Sequence, residues 1–344
     1  MPTVFNPTQT PVCSICIANF NGVGVIEDCI SSVLAQNCDF SFEVIVHDDA
    51  STDDSVDIIR QLYPGITLIV SEANVGFCVS NNRMVEAANG QFILLLNNDA
   101  ALFHDALQIL YQASDPLAPA ILGLPQYDFT HQKLLNNGFN CDLFLNPVPL
   151  LEVKNASVAM VSGACLWMPH SLWRDLGGFP GWFGSVAEDL YLCSLARIRG
   201  HQVRVLGVSG FTHHVGYSLG GGKIENDNRL VTSRKRRSLS ERNKSFVMTL
   251  SYPFALFLAI FPIHLFLLVS EGLLLALVKR DWSLFRTIYL NSLESLWSER
   301  KRLFDLRRTI QARRKINSAQ FIAGFLFLPY KLVLLFRHGF PHFK

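Results

Sequence analysis

The chain has 344 residues, of which 49% are hydrophobic and 17% charged, long enough for two ordinary domains and greasier than an average soluble protein. Its formal charge of +2 gives no reason to expect nucleic acid as a partner. Acidic residues are frequent before about Asp189, whereas Lys and Arg dominate from Arg229 onward, which marks the C-terminal part for anionic surfaces. Residues 1–11 hold no basic cluster followed by an apolar run, so no secretory signal is expected there, only a disordered or extended terminus. The eight cysteines sit mostly inside apolar patterns. Cys13 and Cys16 have the spacing of a redox or zinc half-motif, but no second pair completes it. Buried free thiols in a reducing cytosol are the expectation.

The chain begins with alternating strand and helix patterns. Val12 to Ala18 reads as a strand ending in the polar turn Asn19-Phe20-Asn21-Gly22, and Ile26 to Gln36 has apolar Ile26, Ile30, Val33 and Leu34 at helical spacing. Glu27 stands where Gly22-Val23-Gly24 would need a third glycine, which argues against a Rossmann dinucleotide site. Phe42 to Val46 is a second strand, opening into His47-Asp48-Asp49-Ala50-Ser51-Thr52-Asp53-Asp54. A helix follows from about Ser55 to Leu62, with Ser51 or Thr52 as its expected start. A third strand, Ile66 to Val70, leads to Asn74-Val75-Gly76-Phe77 and a helix to about Ala88. The apolar run from Gln91 to Leu96, followed at once by Asn97-Asn98-Asp99, reads as the buried fourth strand of a covered parallel sheet.

Four strands with crossovers of this length predict an α/β fold with a mostly parallel central sheet covered by helices on both faces. Three of the strands end in Asn or Asp on one rim, where open α/β sheets bind ligands. There Asp48 can accept a hydrogen bond from a base N–H, Asn74 and Gly76 admit backbone close to a ligand, and Asp99 can hold a divalent cation on a diphosphate. An ordinary polar turn is the plain alternative for the Asn97 to Asp99 triplet. Further on, Val158 to Trp167 is an apolar run broken by Ser162-Gly163-Ala164, where the lack of bulk would admit a ligand close to the backbone. Gly177 to Gly184 is rich in glycine and aromatics, and Trp182 within it either faces a ligand or packs. Glu188-Asp189 opens a helical pattern, as dipole-favoured caps or as working acids. After a strand at about Gln202 to Leu206 come His213 and His214, whose imidazoles suit Mg2+ or Mn2+. Leu219-Gly220-Gly221-Gly222-Lys223 reads as a lid over phosphates or as a linker.

The motifs Ser14 to Gly22, Val46 to Asp53, Asn74-Val75-Gly76-Phe77 and Leu96-Asn97-Asn98-Asp99, in that order, resemble glycosyltransferase family 2, the inverting enzymes of the GT-A fold. The resemblance covers about Pro11 to Arg242. Within the family the chain looks most like the bacterial branch that adds rhamnose and related sugars to cell-surface polysaccharides. The resemblance implies a domain over 12–240, with a nucleotide-sugar half at 12–100 and an acceptor half at 101–225. It implies a dTDP-, UDP- or GDP-linked donor held by Ala18, Asn19, Asp48, Ser51, Asn74, Gly76, Phe77 and Asn98. Asp99 would be the last acid of the family's DXD motif, here Asn97-Asn98-Asp99 with an amide in place of the first acid. Glu188-Asp189 matches the ED motif and makes Asp189 the base, with Glu188 positioning. Tyr191 stands where another acid is usual, and Pro180 replaces the acid after Gly-Gly-Phe, so acceptor contacts near Gly163 and Trp182 depart from the common pattern. His213, by its spacing to Gly216 and Ser218, would join Asp99 on Mg2+ or Mn2+, with His214 in reserve. Chemistry asks for the same parts: a base for the acceptor hydroxyl, and a cation for the leaving diphosphate. A nucleotidyltransferase and a catalytically silent scaffold of the same fold are the rival readings.

From Arg229 the character changes. A basic collar, Arg234 to Arg237 and Arg242-Asn243-Lys244, precedes an apolar stretch from Phe246 to Val278 that is long enough to span a bilayer. A second, shorter apolar segment runs from Phe321 to Phe336, and the loop between them is rich in Lys and Arg. Two crossings would translocate that basic loop against the positive-inside bias. The region 241–344 is therefore expected to be a helical appendage resting in the cytoplasmic leaflet of the plasma membrane, its basic residues on anionic headgroups. Burial of the same faces in a homodimer is the alternative. The acceptor would then be a glycan or lipid-linked hydroxyl met at the bilayer.

Overall fold

The computed structural model describes residues 10–214, 216 and 229–344, and the main chain alone of 221–224. The expected extended N-terminus up to residue 9, and Leu219 and Gly220 of the expected lid, lie outside the described residues. The chain forms two compact units, one of residues up to 139, 149–196 and 201–214, the other of 140–148, 197–200 and 215–344. Whereas the sequence pattern sets a border near residue 240, the main body of the second unit begins at 215.

In the first unit β1 (Cys13–Asn19), β2 (Phe42–Asp48), β3 (Thr67–Val70) and β4 (Phe92–Asn97) alternate with α1 (Ile26–Leu34), α2 (Ser55–Leu62) and α3 (Phe77–Ala87). The strands pair in parallel in the order β4-β1-β2-β3, as helical crossovers require. All seven residues of β2 and the first five of β4 are buried, which is why Phe92 to Leu96 reads as a continuous apolar run. α1 turns Ile26, Cys29, Ile30 and Val33 inward, a single stripe at helical spacing, into a core shared with Ile15, Ile17, Leu94 and Leu96. β2 runs two residues beyond its apolar pattern because Asn19 and Asp48 continue the ladder as partners.

The chain continues through β5 (Ala100–Leu102), α4 (Ala106–Gln112), β6 (Ile121–Gly123), β7 (Gln126–Asp128), β8 (Leu134–Asn136), the hairpin of β9 (Phe139–Cys141) and β10 (Pro147–Pro149), β11 (Ala156–Ser157), β12 (Cys165–Pro169), α5 (His170–Leu176), α6 (Glu188–Ile198), β13 (Val203–Val205) and β14 (Phe211–His213). The main sheet has eight strands in the order β11-β13-β6-β12-β4-β1-β2-β3. It is mixed: β12 runs antiparallel to both β4 and β6, and β11 antiparallel to β13. That reversal positions the site, because the start of β12 lies at the rim formed by the carboxyl ends of β1, β2 and β4. The apolar run expected from Val158 becomes strand only at Cys165, and the small residues before it sit on that rim. A second sheet, β5-β14-β7-β8, sets His213 opposite Ala100.

The second unit contains β15 (Gly221–Ile224), β16 (Leu230–Thr232), α7 (Arg234–Ser251), α8 (Phe254–Lys279), α9 (Trp282–Leu284), a π-helical turn (Phe285–Leu290), α10 (Asn291–Ser298), α11 (Arg300–Ala312), α12 (Ser318–Phe321), α13 (Tyr330–His338) and β17 (His342–Phe343). The apolar stretch expected from Phe246 to Val278 is two helices, parted at Tyr252-Pro253, because Pro253 lacks the N–H that would continue α7. The segment from Phe321 to Phe336 is likewise divided by a turn with Gly324 at φ +81°. An ionic cluster ties α7, α8 and α13 together. Glu241, 1% exposed, accepts from Lys331 at 2.7 Å and forms ion pairs with Lys244 at 2.9 Å and Arg237 at 3.1 Å, while Glu271 of α8 pairs with Lys331 at 2.6 Å.

Candidate active site

The rim begins with Asn19. Its Nδ2 donates to Asp48 Oδ2 at 2.8 Å and to Ser55 Oγ at 2.9 Å, while its Oδ1 accepts from Asn98 Nδ2 at 2.9 Å. Three strand ends are thereby joined through one amide. Gly22 is required beside it, since a Cβ there would stand 2.2 Å from Asn19 Oδ1. Ser51, expected to start α2, does other work. Its hydroxyl donates to Asp48 Oδ2 at 2.6 Å and accepts from the Asn21 amide at 2.8 Å. Ala18 lies in β1 between His47 and Asn97.

Asp49, which the sequence did not single out, receives the amides of Val75 at 2.6 Å and Gly76 at 2.8 Å. Its carboxylate therefore holds the Asn74 to Gly76 loop, with Asn74 exposed at the surface. Gly76 adopts φ +88°, a conformation that suits glycine, and Gly184 O accepts from the Cys78 amide at 3.0 Å. The aromatic loop is thus brought beside the start of α3. Phe77 stacks on Phe179 with centroids 6.3 Å apart, and Trp182 meets Phe183 edge-on at 4.8 Å.

Asp99, 4% exposed, has Oδ1 2.9 Å from His213 Nε2. The other ring nitrogen, Nδ1, accepts from Gln126 Nε2 at 2.8 Å, and Gln126 Oε1 accepts from Asn136 Nδ2 at 2.9 Å. This relay sets the ring's orientation. His214 instead stacks on Phe129 with centroids 3.7 Å apart, so its ring is committed to packing. Gln126 and Asn136 carry no signal in the sequence, being polar residues in three-residue strands. The carboxamide oxygen of Asn97 is buried and has no hydrogen-bond partner among the described residues.

Asp189 lies in the first turn of α6. Its Oδ2 accepts from the Gly163 amide at 3.0 Å and its Oδ1 from the Leu190 amide at 2.7 Å. Glu188 beside it is 7% exposed. The turn that aims the pair has Val186 at φ +70° and Ala187 at φ +66°, left-handed conformations that cost about 1 kcal/mol or more each for residues with a Cβ. Ala164 O, next to Gly163, accepts from the Asn97 amide at 3.0 Å. Asp189 and the Asn97 to Asp99 turn are therefore linked through the start of β12, on one rim. The site thus offers an amide and carboxylate cluster, a carboxylate and imidazole pair, and a partly exposed carboxylate on a helix start.

The family model described as "Glycosyl transferase family 2" matches residues 14–136. A putative teichuronic acid biosynthesis glycosyltransferase of Bacillus subtilis is 33% identical over 28% of this chain and 40% of its own length. A chondroitin synthase of Escherichia coli is 28% identical over 54% of this chain and 26% of its own length. The chain spans 33%, 21% and 40% of the length of the first three curated relatives it matches. Among solved structures, TarS residues 1–349 of S. aureus superposes with a TM-score of 0.52 at 18% identity, covering 87% of this chain and 90% of that one. A mannosyltransferase of Pyrobaculum calidifontis, solved with GDP-Man and Mn2+, gives 0.52 at 16% identity over 93% of this chain and 87% of that one. These likenesses give the fold, and the matched segment holds three of the four strand ends of the rim. Residues 14–136 are thus similar to glycosyl transferase family 2, and the chain around them has a GT-A-like α/β fold.

Proposed function

We propose that the chain transfers a sugar, with inversion at the anomeric carbon, from a nucleoside-diphosphate sugar to a hydroxyl of a cell-envelope glycan or its lipid-linked precursor. The observation that carries this reading is that Asn19, Asp48, Asn98, Asp99 and Asp189 meet on one rim through hydrogen bonds across β1, β2, β4 and β12. Nucleotide sugars suit such a rim, and related folds were solved with UDP-GlcNAc and with GDP-Man. The named relatives in teichuronic acid and chondroitin synthesis support a polysaccharide acceptor.

In this reading Asp48 and Asn19 hold the base and ribose, and Gly76 and Phe77 approach the donor. Asp99 and His213 would hold Mg2+ or Mn2+. Their facing atoms stand 2.9 Å apart, and carboxylate with imidazole is a suitable donor set for Mn2+. When bound, the cation neutralises charge that grows on the leaving diphosphate. Asp189 takes the proton of the acceptor hydroxyl as that oxygen attacks the anomeric carbon. The Gly163 amide keeps its carboxylate in place, Glu188 packs beside it, and Trp182 borders the acceptor. The work would take place at the cytoplasmic face of the plasma membrane, and rhamnose is a donor sugar to include.

A panel of dTDP-, UDP- and GDP-sugars, followed by thermal shift with and without Mn2+, tests the donor. One nucleotide class should raise the midpoint more with the metal than without it. Asp189→Asn should lower turnover by about a hundredfold or more while leaving that shift in place. Unaltered turnover would reject Asp189 as the base.

A further inference from the structure

α8 is built inside out. The polar side chains that it turns inward find partners: His264, 3% exposed, bonds Ser245 Oγ at 2.8 Å, and the partly exposed Glu271 joins Arg237, Lys331 Nζ at 2.6 Å and the Tyr289 hydroxyl at 3.2 Å. Its outward stripe is apolar from end to end, with Phe254, Leu258, Ile263, Phe266, Leu274 and Leu277 all exposed. A helix in water shows the reverse arrangement. Polar groups paired inward and apolar groups turned outward is the pattern of a helix in hydrocarbon.

Length does not decide how such a helix would sit, because 26 residues at about 1.5 Å each would reach across a bilayer core. The cations decide it. Arg307 lies over the Phe257 ring at 4.5 Å near the start of α8. Towards the middle, Arg300 joins Phe261 and Leu265 in lining an apolar cavity of about 230 Å3, and Lys279 with Arg280 closes the far end. A crossing helix would carry some of these charges through the hydrocarbon centre at heavy cost. A helix parallel to the surface keeps them at one depth. Trp282 and Trp297 are 58% and 70% exposed, and Arg300 stands over the Trp297 ring at 4.2 Å, a pairing suited to the headgroup level.

We propose that this face docks on an anionic lipid leaflet, with α8 in its plane, the outward stripe among acyl chains, and Lys279, Arg280 and Arg300 at the headgroups. This deepens the envelope-glycan reading by naming the surface on which the acceptor is met, and it stands on lipid binding rather than on sugar transfer.

The test is flotation of the full chain with phosphatidylcholine vesicles, with and without phosphatidylglycerol. Binding should require the anionic lipid, weaken with added salt, and fall about tenfold or more in Phe266→Asn/Leu274→Asn, with an unchanged circular dichroism spectrum. Should that variant not fold, Lys279→Glu/Arg280→Glu should lose the preference for anionic vesicles. Nitroxides at Ile263→Cys, Ser270→Cys and Leu277→Cys, seven residues apart and so on one side of the helix, in a Cys38→Ser background because the other seven thiols are buried, should report one depth. A stable dimer in lipid-free buffer that ignores vesicles would assign the face to a second copy, and depths that change by about 10 Å from one site to the next would mean a crossing; either result overturns the proposal.

Discussion

His213 illustrates how much of this site depends on residues that touch no substrate. Its ring is held between Asp99 and Gln126, and Gln126 is in turn held by Asn136. In the proposed metal site, outer partners of this kind would fix which ring nitrogen faces the cation. Gln126→Leu keeps the bulk but removes the contact to Nδ1. In titrations of donor binding against Mn2+, this variant should need about tenfold more metal, with its unfolding midpoint little changed. Asn19 is the second such hub, since its single amide meets Asp48, Ser55 and Asn98. In Gly22→Ala the new methyl would collide with that amide, so the variant should be destabilised by about 1–3 kcal/mol, read from urea unfolding. The sequence picked out Asn19, Asp48, Asp99 and Asp189, because carboxylates and amides at strand ends and helix starts are visible locally. It did not pick out Asp49 or Gln126, whose roles depend on amides and rings far along the chain.

At the scale of elements, the loop between β2 and α2 is a small polar device. Burial works against the charge on Asp53, yet the Ser55 hydroxyl and the amides of Val23 and Ser55 hold its carboxyl below the usual range. A carboxylate whose folded pKa is depressed contributes stability above its unfolded pKa, and that contribution is lost as pH falls through the folded value. The wild-type protein should therefore lose part of its stability below about pH 4, and Asp53→Asn should flatten that part of the profile when midpoints are compared across pH. Elements also show where local pattern falls short. The alternation of strands and helices from β1 to β4 was legible from periodicity, and α2 occupies Ser55–Leu62 as the pattern predicted. The antiparallel entry of β12 was not legible, since an apolar run carries no direction. Pro253 marks the apolar stretch from Phe246 to Val278 in the sequence, but hydropathy alone does not show that the helix ends there.

At the scale of the whole molecule, two kinds of interior appear. The first unit is closed by aliphatic packing around the sheet, whereas the helical unit contains a cluster of charges on Arg237, Glu241, Lys244, Glu271 and Lys331, of which Glu241 and Lys244 are buried. Burial opposes the charge on Glu241, but Lys244, Lys331 and Arg237 hold its carboxyl well below the ordinary range. Glu241→Gln would leave those cations without their shared partner. It should cost about 3 kcal/mol or more, measured by urea unfolding of the full chain. All eight cysteines are free, and burial pushes the thiols of Cys13, Cys16, Cys29 and Cys165 up. In the native protein, alkylation at neutral pH should be confined to Cys38, and the remaining thiols should react only on unfolding.

By itself the sequence determined the strand and helix alternation, the polar strand ends and the change to apolar, basic helices after Arg229, because each of these is written in neighbouring residues and their spacing. Tertiary structure alone decided that Asp189 reaches Gly163, that Gln126 sets the ring of His213, and that α8 turns its polar side chains inward. Those arrangements arise when segments distant in the chain pack together. A hydrogen bond across a hundred residues leaves no period in the sequence that forms it.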